Sequence, residues 1–139
     1  MLASALTVVL TATCLAAPVH GDRVRAGPFV GGIVPRYDVV EGRFRLHVGG
    51  YRVPGSLSQK IPWFAPRGAH VSNFLVVVGR RLDRPGSFRQ RFTRAYSPDT
   101  PEAVAFPSNL APPRAGCWRL TFMSGRLVGS LTVLVSNRR

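Results

Sequence analysis

Along much of the chain apolar residues recur at every second position, the spacing that puts them on one face of a β-strand. In Arg43–Val48, Phe44, Leu46 and Val48 share one face and Arg43, Arg45 and His47 the other. Ser87–Phe92 alternates in the same way, with Phe88 and Phe92 inward and Arg89 and Arg91 outward. Two stronger strands close the chain, Cys117–Met123 and Leu127–Val135. On the first, Trp118, Leu120 and Phe122 oppose Cys117, Arg119, Thr121 and Met123. On the second, Leu131, Val133 and Val135 alternate with Ser130, Thr132 and Ser136, and Leu134 breaks the pattern. Ser124-Gly125 between them reads as a hairpin turn, where Gly can take a positive φ.

Other segments are less regular. The continuous apolar run Asn73–Val78 predicts a central strand covered on both faces. Lys60–Ala65 is a further strand, placed at a sheet edge or bulge by Pro62. One short strand, Glu102–Phe106, is expected within a Pro-rich connection over 97–115, and residues 22–36 read as an irregular arm or linker.

Composition sharpens this pattern. The 139 residues include 14 Gly and 12 Pro, spaced so that helices of ordinary length have no room. An apolar content of 45% is too high for a disordered chain. The expectation is therefore an all-β protein: a single antiparallel β-sandwich of about seven strands over residues 37–136.

Residues 1–19 carry no charged side chain, and an apolar run followed by small residues predicts a secretory signal over 1–21, cut near Ala16, Ala17 or Gly21. A membrane anchor and a lipid-modified Cys14 are the alternatives. The expected location is secreted or extracytoplasmic. Removal of the signal would leave Cys117 alone, so no disulfide is expected and a mature chain of about 118–123 residues must rely on its core.

Two resemblances bear on the fold. Ala115-Gly116-Cys117-Trp118-Arg119-Leu120-Thr121-Phe122 resembles the penultimate strand of immunoglobulin-like sandwiches, with Trp118 at the aromatic corner and Leu120 in the core. Over a longer stretch, Lys60-Ile61-Pro62-Trp63-Phe64, Val78-Gly79-Arg80-Arg81-Leu82-Asp83-Arg84-Pro85-Gly86, Phe106-Pro107-Ser108 and Ala115-Gly116-Cys117-Trp118 follow one another in order. This succession is similar to a group of uncharacterised secreted proteins of high-GC, actinobacterial-type bacteria. Arg84, Ala115 and Trp118 stand where that group has Gly, Pro and Tyr. The resemblance implies export and an immunoglobulin-like sandwich, and no catalytic residue.

The residues themselves offer little catalytic chemistry. Six carboxylates (Asp22, Asp38, Glu41, Asp83, Asp99, Glu102) are thinly spread, with no spacing that suggests an acid/base pair. No nucleophile elbow, phosphate-binding loop or zinc motif occurs. Asp83, in Leu-Asp-Arg-Pro-Gly, is expected to bond turn backbone. A thiol–imidazole pair of Cys117 with His47 or His70 is a weak third possibility. A copper site using His20, His47 or His70 is the alternative functional class. The expectation is no enzyme activity, no cofactor and no metal.

The charge changes the picture most. Nineteen Lys and Arg against six Asp and Glu give +13, and every cation but Lys60 is Arg. Arg80, Arg81, Arg84, Arg89, Arg91 and Arg94 crowd one stretch with Asp83 as its only acid. These six are the candidate anion-binding residues of a non-catalytic interaction module. The expected partners are anionic envelope polymers or lipid headgroups, reached through long-range attraction that fades with salt. Membrane association is expected only through the N-terminal segment or surface charge. Nucleic acid is disfavoured, because no recognition motif occurs and Phe88 and Phe92 point away from Arg89 and Arg91.

Overall fold

The computed structural model describes residues 13–50, 60–96 and 103–137. The period-two segments form strands, and two β-sheets pack face to face. There are eleven strands among the described residues, not about seven, and the surplus lies at the N-terminal end. The expected arm over 22–36 is a hairpin of β2 (Arg23–Ala26) and β3 (Phe29–Gly32), preceded by β1 (Val19–His20). Its Gly and Pro are turn punctuation rather than signs of irregularity. Val24 and Ala26 are buried while Arg23 and Arg25 are exposed, an alternation too short to stand out beside so many glycines.

A single helical turn, α1 (Pro35–Asp38), follows, with Asp38 buried and its Oδ2 accepting the Val34 N–H at 2.8 Å. Next come β4 (Val39–Val40), β5 (Arg43–His47), β6 (Ile61–Ala65), β7 (Phe74–Arg81), β8 (Ser87–Thr93), β9 (Val104–Ser108), β10 (Gly116–Ser124) and β11 (Leu127–Ser136). One sheet runs β1-β2-β3-β6-β9, the other β4-β5-β11-β10-β7-β8. All pairs are antiparallel except β5 with β11, which run parallel from Arg45↔Leu134 to His47↔Ser136. The sandwich is therefore mixed at one seam.

Two strand environments differ from expectation. β6 lies between β3 and β9, not at an edge. Pro62 is tolerated there because the ladder to β3 spans only Trp63 and Phe64, so its missing N–H falls just beyond that pairing. β7 is central but buries one face: Leu75 and Val77 face the core, while Val76 and Val78 are half-exposed. The apolar run concealed an ordinary two-sided strand.

The core is an aromatic seam between the sheets. Trp63 of one sheet meets Phe122 of the other at 4.3 Å between ring centroids. Phe29 reaches Phe122 at 6.2 Å and Phe44 reaches Trp63 at 6.3 Å, near edge-to-face. All four side chains are fully buried. Beside this seam the sheets approach so closely that a Cβ on Gly129 of β11 would strike the backbone carbonyl of Ala26 in β2.

The largest departure concerns the N-terminal segment. Cys14 is bonded to Cys117 across 103 residues, so the expectation of an unpaired Cys117 is overturned. That expectation followed from cutting the chain at Ala16, Ala17 or Gly21, and each cut removes Cys14. Instead residues 14–20 are built into the fold. The Ala17 N–H donates to Thr132 O and its carbonyl accepts the Phe44 N–H, both at 2.8 Å, filling the gap where β5 and β11 diverge. Ala16 is buried, and Arg43 Nη1 donates to its carbonyl at 2.7 Å. Residues 1–12 of the expected signal segment lie outside the described residues, as do Asp99 and Glu102.

Two stability outcomes follow. Gly129→Ala should cost about 1–3 kcal/mol, because backbone rather than a flexible side chain stands in the way of the new methyl group. A urea midpoint equal to wild type would show that the sheets can part freely. Reduction, or Cys14→Ser, should cost about 2–5 kcal/mol by restoring the freedom of a closed loop of about a hundred residues. Denaturant melts with and without reductant measure it, and the Cys14→Ser variant should be insensitive to reductant.

Candidate functional site: an arginine-bearing sheet face

Strand parity sorts the six candidate arginines. On β7, Leu75, Val77 and Gly79 face inward, so Arg80 faces outward. On β8, Phe88 and Phe92 face the core and Arg89 and Arg91 are exposed on the outer side, as the alternation predicts. Phe88 lies across Gly79 and meets Trp118 edge-on at 5.3 Å, locking that orientation. Arg84 is exposed at the tip of the turn joining the two strands.

Arg81 and Arg94 do other work. The Arg81 side chain is only 16% exposed; its Nη2 donates to Ala115 O at 2.6 Å and its Nε lies 3.4 Å from Asp83 Oδ1. Asp83 is thus committed to a guanidinium, where backbone bonding was expected of it. Arg94 shares the parity of Phe88 and Phe92, is half-buried, and covers the Tyr96 ring at 4.7 Å.

Pairing then adds a residue that reading along the chain missed. β10 lies against β7 in a register that sets Arg119 directly opposite Arg80. Directly opposed residues have Cβ atoms only ~5 Å apart, and diagonal neighbours sit at ~7–8 Å. Arg80 is opposed on its other side by Ser87, so Arg89 is its diagonal neighbour. Arg119, Arg80, Arg89 and Arg91 therefore form a cationic band across three strands of the outer face. All four are exposed, and among the described residues no carboxylate pairs with any of them. The outward parity of Arg119 was legible, but its pairing partner was not.

A ladder joining Arg43 and Arg45 to Arg89 and Arg91 does not form, because β11, β10 and β7 separate β5 from β8. Arg43 binds the Ala16 carbonyl, and Arg45 Nη2 donates to Tyr37 O at 3.0 Å.

The face also carries apolar side chains. Phe74, Val76 and Val78 of β7, Met123 of β10 and Val128 of β11 lie on it, with Phe74 and Val128 exposed. Arg91 stacks on Phe74 at 4.4 Å, so one aromatic does accompany the arginines even though Phe88 and Phe92 do not. At the end nearest the disulfide a pocket of about 280 Å³ is lined by Thr13, Leu15, Leu82, Asp83, Cys117, Arg119 and Thr132.

The residues considered for other chemistry stand apart. Cys117 has no thiol to act as a nucleophile, since it is oxidised with Cys14. His20 is on β1, His47 on β5 and His70 in the connection before β7. Among the described residues no three His, Cys, Asp or Glu side chains gather as a metal set. No helix among them is long and apolar enough to cross a membrane.

No protein-family model, curated protein or solved structure matches the chain.

The cationic band opposes folding, and this can be measured. Arg119→Thr, which keeps a strand-forming residue, should raise stability by about 0.2–1 kcal/mol by removing a directly opposed like charge. The gain should shrink as salt is added. A loss of stability at low salt would mean that Arg119 contributes a contact to the fold.

Proposed function

We propose that the protein is an exported, non-catalytic binding module, and that the outer face of its six-stranded sheet holds an anionic component of the cell envelope through Arg80, Arg89, Arg91 and Arg119. The observation that carries this reading is the direct opposition of Arg80 and Arg119 without a neutralising carboxylate among the described residues. Such an arrangement is costly in the free protein and becomes favourable when an anion lies over it. Guanidinium groups also suit phosphate oxygens, which they bind through two parallel N–H donors.

Export rests on the uncharged apolar start of the chain and on the disulfide, because such bonds persist in oxidising compartments. In this reading any processing occurs before Cys14 and leaves the clasp intact.

The scaffold is read as immunoglobulin-like. The order β11-β10-β7-β8 parallels the G-F-C-C′ order of variable-type sandwiches, and β6 beside β9 parallels B beside E. The indole N–H of Trp118 donates to Arg114 O at 3.0 Å, a bond back to upstream backbone like that of a tyrosine corner.

Two variants of equal charge change test the face. The triple change R80E/R89E/R91E should weaken binding to long-chain polyphosphate by ~tenfold or more at low salt, since local field rather than total charge governs capture. The control R23E/R25E/R36E alters exposed arginines of β2 and α1 and should cost much less. Equal losses measured by fluorescence anisotropy would reduce the effect to bulk charge.

A further inference from the structure

We infer that the anionic component is a lipid bilayer, and that the protein rests on it with Leu15 and Leu82 entering the headgroup layer beside the arginine band. This inference rests on the reading just given and narrows it.

A soluble polyanion would require charge alone, yet the same face exposes large apolar side chains. Leu15 is 72% exposed, Val128 57% and Leu82 51%. Leu15 and Leu82 line one pocket together with Arg119 and with Asp83, whose carboxylate is already paired with Arg81. Two leucines and a guanidinium unpaired among the described residues thus share a site at one end of the face. Exposed Phe74, stacked under Arg91, repeats the combination at the other end, and exposed Val128 lies on the same face three strands away. Apolar tips among cations match an anionic membrane surface, where phosphates lie just above the acyl boundary.

The disulfide gives an independent reason. It pins Cys14 to Cys117 on the outward side of β10, so Thr13 and Leu15 lie over the arginine face. The bond thus sets an exposed apolar side chain, Leu15, beside the cations.

A second copy of the chain is a poor occupant, because two such faces would set guanidinium against guanidinium. Stacking of bases is disfavoured too, since Arg91 already covers Phe74 and Arg94 covers Tyr96.

The test uses the full, oxidised chain with phosphatidylglycerol-containing vesicles, pure phosphatidylcholine vesicles and long-chain polyphosphate in parallel. L15S/L82S changes exposed residues, so its denaturation midpoint should match wild type. It should lose ~tenfold or more in affinity for the anionic vesicles, as expected for withdrawing two leucines from an interface, while its polyphosphate affinity holds. Leu82→Trp should bind the anionic vesicles at least as tightly as wild type and show a blue-shifted emission with them. Vesicle affinity unchanged in L15S/L82S, or no blue shift from Trp at position 82, would overturn the inference. So would binding to polyphosphate without binding to anionic vesicles, or equal binding to neutral and anionic vesicles. If R80E/R89E/R91E and R23E/R25E/R36E instead behave alike toward polyphosphate, the underlying reading of the face fails first.

Discussion

The contact of Trp63 with Phe122 ties the two sheets together, and most other features depend on it. A strand has two faces, and once one is committed to an aromatic seam the other has no choice of direction. Trp63 and Phe122 fix the inward parity of β6 and β10. The ladders from β10 to β7 and from β7 to β8 then carry that parity sideways. Arg119, Arg80, Arg89 and Arg91 are outward because Trp118, Gly79, Phe88 and Phe92 are not. The cationic face is thus a consequence of core packing, achieved without any attraction between the arginines themselves.

The second constraint is the clasp between Cys14 and Cys117. β5 and β11 pair in parallel over only three residue pairs, and parallel strands that diverge leave backbone groups to be satisfied. The segment through Ala17 fills that gap, giving its N–H to β11 and its carbonyl to β5. It then crosses to the opposite sheet as β1, so a few residues stitch both layers. The covalent bond holds the stitch at its outer end, beside the pocket that Leu15, Leu82 and Arg119 line. Stability and surface chemistry meet at the same place: the bond that restrains the N-terminal segment also sets which apolar side chains border the arginines.

The features that no local pattern carries share a cause. Residues 22–36 give no strand signal because glycine density masks a four-residue alternation such as Arg23–Ala26. The solitary Cys117 followed from a cleavage assumption, and no local pattern could reveal a partner 103 residues away. Alternation along β10 turns Arg119 outward but does not bring it to Arg80, since register between β10 and β7 is a long-range property. Arg81 and Arg94 neighbour the outward arginines in sequence but not on the face, because one residue along a strand reverses the side-chain direction.

The amino-acid sequence by itself determined the β class, the strong final hairpin, the inward side of β8 and β10, and the size and sign of the charge. These are properties of period, turn residues and composition, which act over a few residues and need no partner. Tertiary structure alone decided which strands are neighbours, that Cys14 and Cys117 meet, that Asp83 is taken up by Arg81, and that Arg119 stands opposite Arg80. The physical reason is that pairing partners are chosen by how whole faces pack, and the free energy of that choice is spread over the core rather than written at any one position.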